Sequence, residues 1–291
     1  MNKLRRTMLF CPASEPKMFI NTPVYKPDCI IFDLEDAVAL SEKDSARDLL
    51  CEAINSIDYS GIEIFVRVNP LYTPFGETDV REVVKAGVRN IRLPMCESKE
   101  DVKKLEELLE QIEKENNIEL GSVKIQCAIE TPKGVMNSYE IATSSLRVVA
   151  ISFGAEDFTR ELGVDRTKEA TELSFARSQV VLSAKAASVD AIDTVWADIK
   201  DMEGFIKEAQ NAKTIGFSGK SCIHPAQVKE VHRIFTPSKE EVEKSIQIID
   251  AAKEAEEKGL GVIQVNGKMV DVPVIKKAER IVSLAGLEKV L

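Results

Sequence analysis

Residues 29–38 read CIIFDLEDAV, an apolar run, Cys29-Ile30-Ile31-Phe32, followed by three carboxylates, Asp33, Glu35 and Asp36. A continuous apolar run closed by polar residues predicts a strand buried on both faces, as in a parallel sheet. Carboxylates are rarely buried without partners, so three at one strand end call for cations, donors or water nearby. The plain alternative is that Asp33 and Asp36 cap a helix beginning at Ala37.

The same design recurs along the chain. Eight apolar runs rich in β-branched residues lie at 7–12, 29–34, 63–69, 90–94, 124–130, 148–154, 191–195 and 216–223. Most are separated by helix-periodic stretches. Val102, Leu105, Leu108, Leu109 and Ile112 share one face, behind a Ser98/Asp101 capping box. Eight βα units in about 230 residues predict an α/β (β/α)8 TIM barrel, whose functional groups gather at the carboxyl ends of the strands. An open doubly wound sheet is the alternative, but no GxGxxG follows an early strand. Domain limits of 1–236 for a catalytic barrel and 237–291 for a helix–hairpin–helix extension follow. Ser238 with Glu241 caps the first tail helix, Asn266-Gly267 suits a type I′ hairpin turn, and Pro273 opens a last helix. The extension has little core of its own and is expected to pack on the barrel or on a neighbouring subunit.

Composition narrows the function. The 291 residues are 44% hydrophobic and 30% charged, with a net charge of −9, which argues against nucleic acid or an anionic membrane as partner. No apolar run reaches the ~18 residues of a membrane span, and the apolar part of MNKLRRTMLFCPAS is too short for a signal peptide, so a cytoplasmic location is expected. Six cysteines without a CxxC pair, several in apolar runs, read as reduced and buried. With only His224 and His232, a multi-histidine metal site is excluded, and any metal is a hard ion held by oxygen, which favours Mg²⁺.

The strand ends supply candidates. Glu35 and Asp36 end the second strand, the third carries Arg67 and Asn69, the fifth delivers Glu130, the sixth Glu156 and Asp157, and the eighth ends at His224. Glu130 precedes Thr131, a helix N-cap, and Pro132. Glu130 and Asp157 could share one Mg²⁺; the other reading is a solvated glutamate and a helix-capping aspartate. The fork of Arg67 suits a substrate carboxylate, or a salt bridge with a barrel acid. Metal plus arginine suits a small hydroxy or keto acid. GFSGKS is no phosphate loop, because Thr214 stands where a Walker motif needs glycine, so Lys220 is a strand or loop lysine.

With LRRTMLF, IIFDLEDAV, SEKDSAR, FVRVN, AIETPKGV, FGAEDF, TELSFAR, DTVWADIKD, GFSGKS and NGKMVDVP, the chain resembles the HpcH/HpaI aldolase and citrate lyase superfamily, most of all its citrate lyase β-subunit branch. The resemblance implies Mg²⁺ on Glu130 and Asp157, substrate contacts from Arg67 and Glu130, and Glu35 and Asp36 around the metal. It implies cleavage of a (3S)-citryl thioester, on coenzyme A or an acyl-carrier subunit, to oxaloacetate and an acetyl thioester. It further implies citrate lyase α and γ subunits as partners and a homotrimer or hexamer. Asp271 is the candidate base, acting across a subunit boundary; its other reading is a cap for the helix at Pro273. Lys3, Arg5 and Arg6 could meet carrier phosphates or form a solvated terminus. Where relatives often read LPK, this chain has Leu93-Pro94-Met95. A stand-alone malyl-CoA or citramalyl-CoA type lyase and a non-catalytic scaffold are the rival readings.

Overall fold

The computed structural model describes residues 4–257, 263–265 and 268–286. Eight parallel strands close into a barrel in sequence order: β1 (Thr7–Pro12), β2 (Cys29–Asp33), β3 (Glu63–Arg67), β4 (Asn90–Leu93), β5 (Lys124–Ile129), β6 (Val148–Phe153), β7 (Asp190–Asp193) and β8 (Gly219–Cys222). β8 returns to β1 in the register Met8↔Ser221. The predicted TIM barrel is therefore present, with the carboxyl ends of β2 to β8 one or two residues short of the apolar runs.

Alternation decides what each side chain meets. On β2, Ile30 and Phe32 face the helices, and Phe32 packs edge-on against Phe19 at 5.3 Å between ring centroids. Cys29 and Ile31 point inward to a core with Met8, Phe65, Ala150 and Ile192. One turn nearer the mouth, the inward positions become polar. Asp33, Arg67, Arg92 and Gln126 are successive register partners across β2, β3, β4 and β5. They form a single lateral row, just above the apolar plug.

The helices that hold this frame follow their sequence signals. Helix Lys99–Glu115 carries the Ser98/Asp101 capping box and buries Val102, Leu105, Leu109 and Ile112, while Leu108 lies at the edge of that face. Thr131 caps helix Pro132–Met136 by accepting from the Gly134 amide at 3.0 Å. No helix begins at Ala37. Asp33 accepts instead from the amides of Glu35 and Ala37, holding an irregular loop, and the helix starts at Lys43.

Both readings of the basic terminus need correction. Arg5 donates to Glu63 at 2.6 and 3.0 Å and to Asp190 at 3.0 Å, and Arg6 pairs with Asp28 at 2.8 Å. These partners stand at the amino ends of β2, β3 and β7, so the arginines seal the end of the barrel opposite the strand carboxyl ends. Lys3 lies outside the described residues. Lys220 also faces away from the barrel interior, fully buried between Asp193 at 2.9 Å and Glu208 at 2.6 Å. Arg177 completes the pairing of Asp193. The cysteines are free thiols and all but Cys51 are buried; burial pushes Cys11 and Cys222 up to about 12.

The chain divides into two compact units with the boundary between His232 and Arg233. In the second unit, Ser238 and Glu241 form the expected capping box ahead of helix Lys239–Glu257. β9 (Ile263–Val265) and β10 (Lys268–Val270) pair antiparallel, and helix Val272–Leu284 follows. Ile249, Ala278 and Val282 form this unit's small core. The Asn266-Gly267 turn lies outside the described residues. No helix among the described residues is long and apolar enough to cross a membrane.

Candidate active site

A cavity of about 550 Å³ opens at the carboxyl ends of the strands, with Phe10, Asp33, Asp36, Arg67, Arg92, Glu130, Gly154 and Asp157 among its lining residues. Its cationic half is built on the polar row. The guanidiniums of Arg67 and Arg92 lie 5.2 and 5.3 Å from the centroid of the Phe10 ring, whose π face favours cations. Asp33 takes the Nε–Nη2 edge of Arg67 at 2.7 and 2.6 Å. Nη1 of Arg67 meets Glu35 at 2.9 Å and Asp36 at 3.2 Å. The salt-bridge reading of Arg67 is thus realised, and the fork edge expected to hold substrate is occupied by Asp33. The Nη1 end, shared between two acids, is the part that faces the loop after β2.

Glu130 follows directly on β5 and is buried, not solvated. Its carboxylate accepts from the Met95 amide at 3.1 Å and lies 3.8 Å from Arg92. Met95 holds a left-handed backbone conformation, φ 48°, unusual for a residue with a side chain. It therefore touches the site through its amide, whatever side chain stands there. On the adjacent strand end, Gly154 makes room for Glu130: a Cβ there would lie 2.5 Å from Glu130 Cγ. Asp157 stands in the first turn of helix Ala155–Leu162 and pairs with Arg160 at 2.5 Å. That helix has Gly154 at its N-cap, so Asp157 does not cap it.

The electrostatics are crowded. Burial, reinforced by Glu130, Asp36 and Asp33 and opposed by Arg67, pushes Glu35 up to about 8. Burial also raises Glu130, with Asp157 adding to it and Arg92 and Arg67 opposing it. Burial alone would raise Asp33 as well, but Arg67 holds it below the usual carboxylate range. Burial pulls Arg92 down to about 10, leaving it a cation at neutral pH. Asp33, Asp36, Glu130, Glu156 and Asp157 line the cavity together with the guanidiniums of Arg67 and Arg92, with Glu35 held against Arg67, a surplus of acids that suits an additional cation. Among the described residues no three His, Cys, Asp or Glu side chains form a ready-made metal cage. Glu130 and Asp157 can supply two oxygen ligands, leaving other positions to water and substrate, as suits Mg²⁺.

Residues 6–225 match the sequence model of the family described as HpcH/HpaI aldolase/citrate lyase. The chain belongs to that family. Among members of the HpcH/HpaI family, it is 47% identical to the citrate lyase subunit beta of Haemophilus influenzae, with 97% of each chain covered. It is 31% identical to the mitochondrial citramalyl-CoA lyase of Mus musculus, covering 97% of this chain and 86% of that protein. The crystal structure of protein CitE from Mycobacterium tuberculosis, in complex with magnesium, acetoacetate and coenzyme A, superposes with a TM-score of 0.78 at 30% identity. That match covers 97% of this chain and 98% of the other.

Of the residues singled out from this family's motifs, Arg67, Glu35, Asp36, Glu130 and Asp157 come together at one barrel mouth. Asp271 belongs to the second unit, where it is exposed and accepts from the Val274 amide at 3.1 Å, capping helix Val272–Leu284. Sequence reading passed over Arg92, Gly154 and the Met95 amide. Arg92 had a signal: an arginine inside a four-residue strand that is otherwise read as buried on both faces.

Proposed function

We propose that this chain is a Mg²⁺-dependent carbon–carbon lyase that cleaves a (3S)-citryl thioester to oxaloacetate and an acetyl thioester, as the β subunit of a citrate lyase. The observation that carries this reading is the buried Glu130 beside Asp157, set against paired arginines at the mouth of a barrel. Likeness to citrate lyase β subunits over nearly the whole chain supports the choice of substrate.

Glu130 and Asp157 are the residues that would hold the metal. When bound, Mg²⁺ supplies a Lewis acid for the carbonyl that develops from the substrate's tertiary hydroxyl. Arg67, with its orientation fixed by Asp33, contacts the oxaloacetate half through its Nη1 end. Glu35 and Asp36 keep Arg67 charged and in place. A base removes the hydroxyl proton, the oxygen electrons form the new carbonyl, and the C–C bonding pair passes to the acetyl carbon. That enolate is then protonated to the acetyl thioester. Asp271 from a neighbouring subunit is the proposed base, in a homotrimer or hexamer whose tails (237–291) pack on barrels (1–236). The acyl carrier is coenzyme A or an acyl-carrier subunit, the assembly includes citrate lyase α and γ subunits, and the site of action is the cytoplasm.

Oxaloacetate release from (3S)-citryl-CoA by the purified chain, with Mg²⁺ and with EDTA, tests this reading. Metal-dependent release is expected. Turnover of citramalyl-CoA or malyl-CoA without turnover of the citryl thioester would favour a stand-alone lyase, a reading supported by likeness to a citramalyl-CoA lyase. No turnover of any thioester would leave a scaffold role.

A further inference from the structure

The two arginines of the polar row share a register and a ring but differ in what they hold. Arg67 faces three carboxylates. Arg92 donates through Nη1 to the neutral amide oxygen of Gln126 at 3.0 Å, and its Nη2 approaches Glu130 no closer than 3.8 Å. Its Nε is enclosed and has no hydrogen-bond partner. Unlike Arg67, Arg92 therefore has no carboxylate within hydrogen-bonding distance; its Nε is sealed in protein, and Nη2 is the nitrogen left for a cavity ligand, although Arg92 is only 3% exposed and lines the cavity. A buried guanidinium with an unpaired donor carries an uncompensated desolvation cost unless another group completes it. A charged guanidinium N–H that reaches a cavity is matched by an anionic acceptor such as a carboxylate.

From this geometry we infer that Arg92 binds the second free carboxylate of the substrate and so selects a dicarboxylic acyl group over a monocarboxylic one. The inference rests on the lyase reading above and deepens it. A citryl thioester carries two free carboxylates, one beside the reacting hydroxyl and one on the distal methylene. Citramalyl and malyl thioesters lack the distal one. The carboxylate beside the hydroxyl belongs with the reacting centre at Glu130, Asp157 and Arg67. The distal carboxylate needs a cation of its own once it leaves water, and Arg92 stands next to that centre with its Nη2 unpaired by any carboxylate at hydrogen-bond distance. Gln126 orients Arg92 without neutralising it. Against a substrate that lacks the distal group, the same guanidinium stays unpaired, which penalises the wrong substrate.

The test compares two substrates and two products. Arg92→Met removes the charge at similar volume, and Arg92→Lys keeps the charge without the planar guanidinium and its bond to Gln126. The ratio of kcat/KM for citryl-CoA to that for citramalyl-CoA is expected to fall by about 100-fold in Arg92→Met and by about 10-fold in Arg92→Lys. Calorimetric binding of oxaloacetate in Mg²⁺ is expected to weaken by a similar factor, while pyruvate binding weakens far less. Equal losses for both substrates and both products would overturn the inference, because Arg92 would then act only through Glu130. If Arg92→Met fails to fold, Arg92→Lys decides. If the wild-type chain turns over neither thioester, the lyase reading fails; oxaloacetate and pyruvate binding to wild type and Arg92→Lys still decides the role of Arg92.

Discussion

The Cβ position of Gly154 lies 2.5 Å from Glu130 Cγ. Glycine is needed there for space, since its φ of −112° is open to any residue. The atom it would strike is in mid-chain, and the carboxylate beyond it is pinned by the Met95 amide. A methyl group must therefore push Glu130 out of position. Gly154→Ala is expected to lower activity at least ~10-fold and to cost about 1–3 kcal/mol of stability from overpacking. Steady-state kinetics and thermal melts check both, and a fully active Gly154→Ala would show that the position of Glu130 is not critical.

Glu130→Gln and Asp157→Asn keep shape and remove charge. If these residues hold Mg²⁺, each lowers activity by about 10²–10³-fold, the scale for losing one preorganised electrostatic partner. Mg²⁺ affinity measured by calorimetry should fall in parallel. The fold should survive, because Glu130→Gln also relieves the burial of a charge. Unchanged Mg²⁺ binding in either variant would remove that residue from the metal site.

Arg67→Lys has two expected signatures, because Arg67 both anchors Asp33 and faces the cavity. A lysine cannot meet Asp33 through two parallel bonds while reaching Glu35 and Asp36. Activity should fall by roughly 100-fold, and the melting temperature should drop as well, since Asp33 loses half of its buried pairing. An Arg67→Lys protein with normal activity would assign Arg67 to structure alone.

The pH dependence of stability follows from Glu35. Its folded value, about 8, stands above the 4.5 of an unperturbed glutamate. Between those values the unfolded chain releases a proton that the folded protein keeps, so stability falls as pH rises. Raised Glu130 acts in the same direction. Depressed Asp33 acts oppositely, but its loss comes as pH falls below the ordinary aspartate range, outside this window. In EDTA the melting temperature should decline from pH 5 to pH 8, and Glu35→Gln should flatten that decline. Mg²⁺ bound among these carboxylates should raise the melting temperature more at pH 8 than at pH 5. A flat wild-type profile in EDTA would contradict the crowding of acids described above.

The barrel was legible because most strands are compact apolar runs and most stretches between them show helical periodicity. The acids at the strand ends were legible for the same reason, since a strand boundary fixes where the mouth lies. Pairings across the sheet were not. Arg5 meets Glu63 and Asp190, 58 and 185 residues away, and nothing local marks those partners. Arg92 interrupts an apolar run, so a reading for apolar continuity passes over it. Its significance depends on the register that sets it beside Arg67 and Gln126. The sequence groups Glu35 with Asp33 and Asp36, but only the closure of the barrel brings Glu130 against them.

Asp271 presents two roles that one substitution separates. As a cap, it accepts from the Val274 amide, and asparagine caps nearly as well as aspartate. As a base, it needs a carboxylate, which asparagine lacks. Asp271→Asn should therefore keep the wild-type melting temperature yet lose activity if Asp271 takes the hydroxyl proton. Asp271→Ala should lose activity and also about 1 kcal/mol of stability. A fully active Asp271→Asn would leave the residue a cap and place the base elsewhere. Action across a subunit boundary adds a second test. Oligomers reassembled from Asp271→Asn and Glu130→Gln chains, each inactive alone, should regain part of the activity, because some sites then join an intact barrel to an intact tail. No recovery in mixed oligomers, with subunit exchange verified by mass, would confine the base to its own chain.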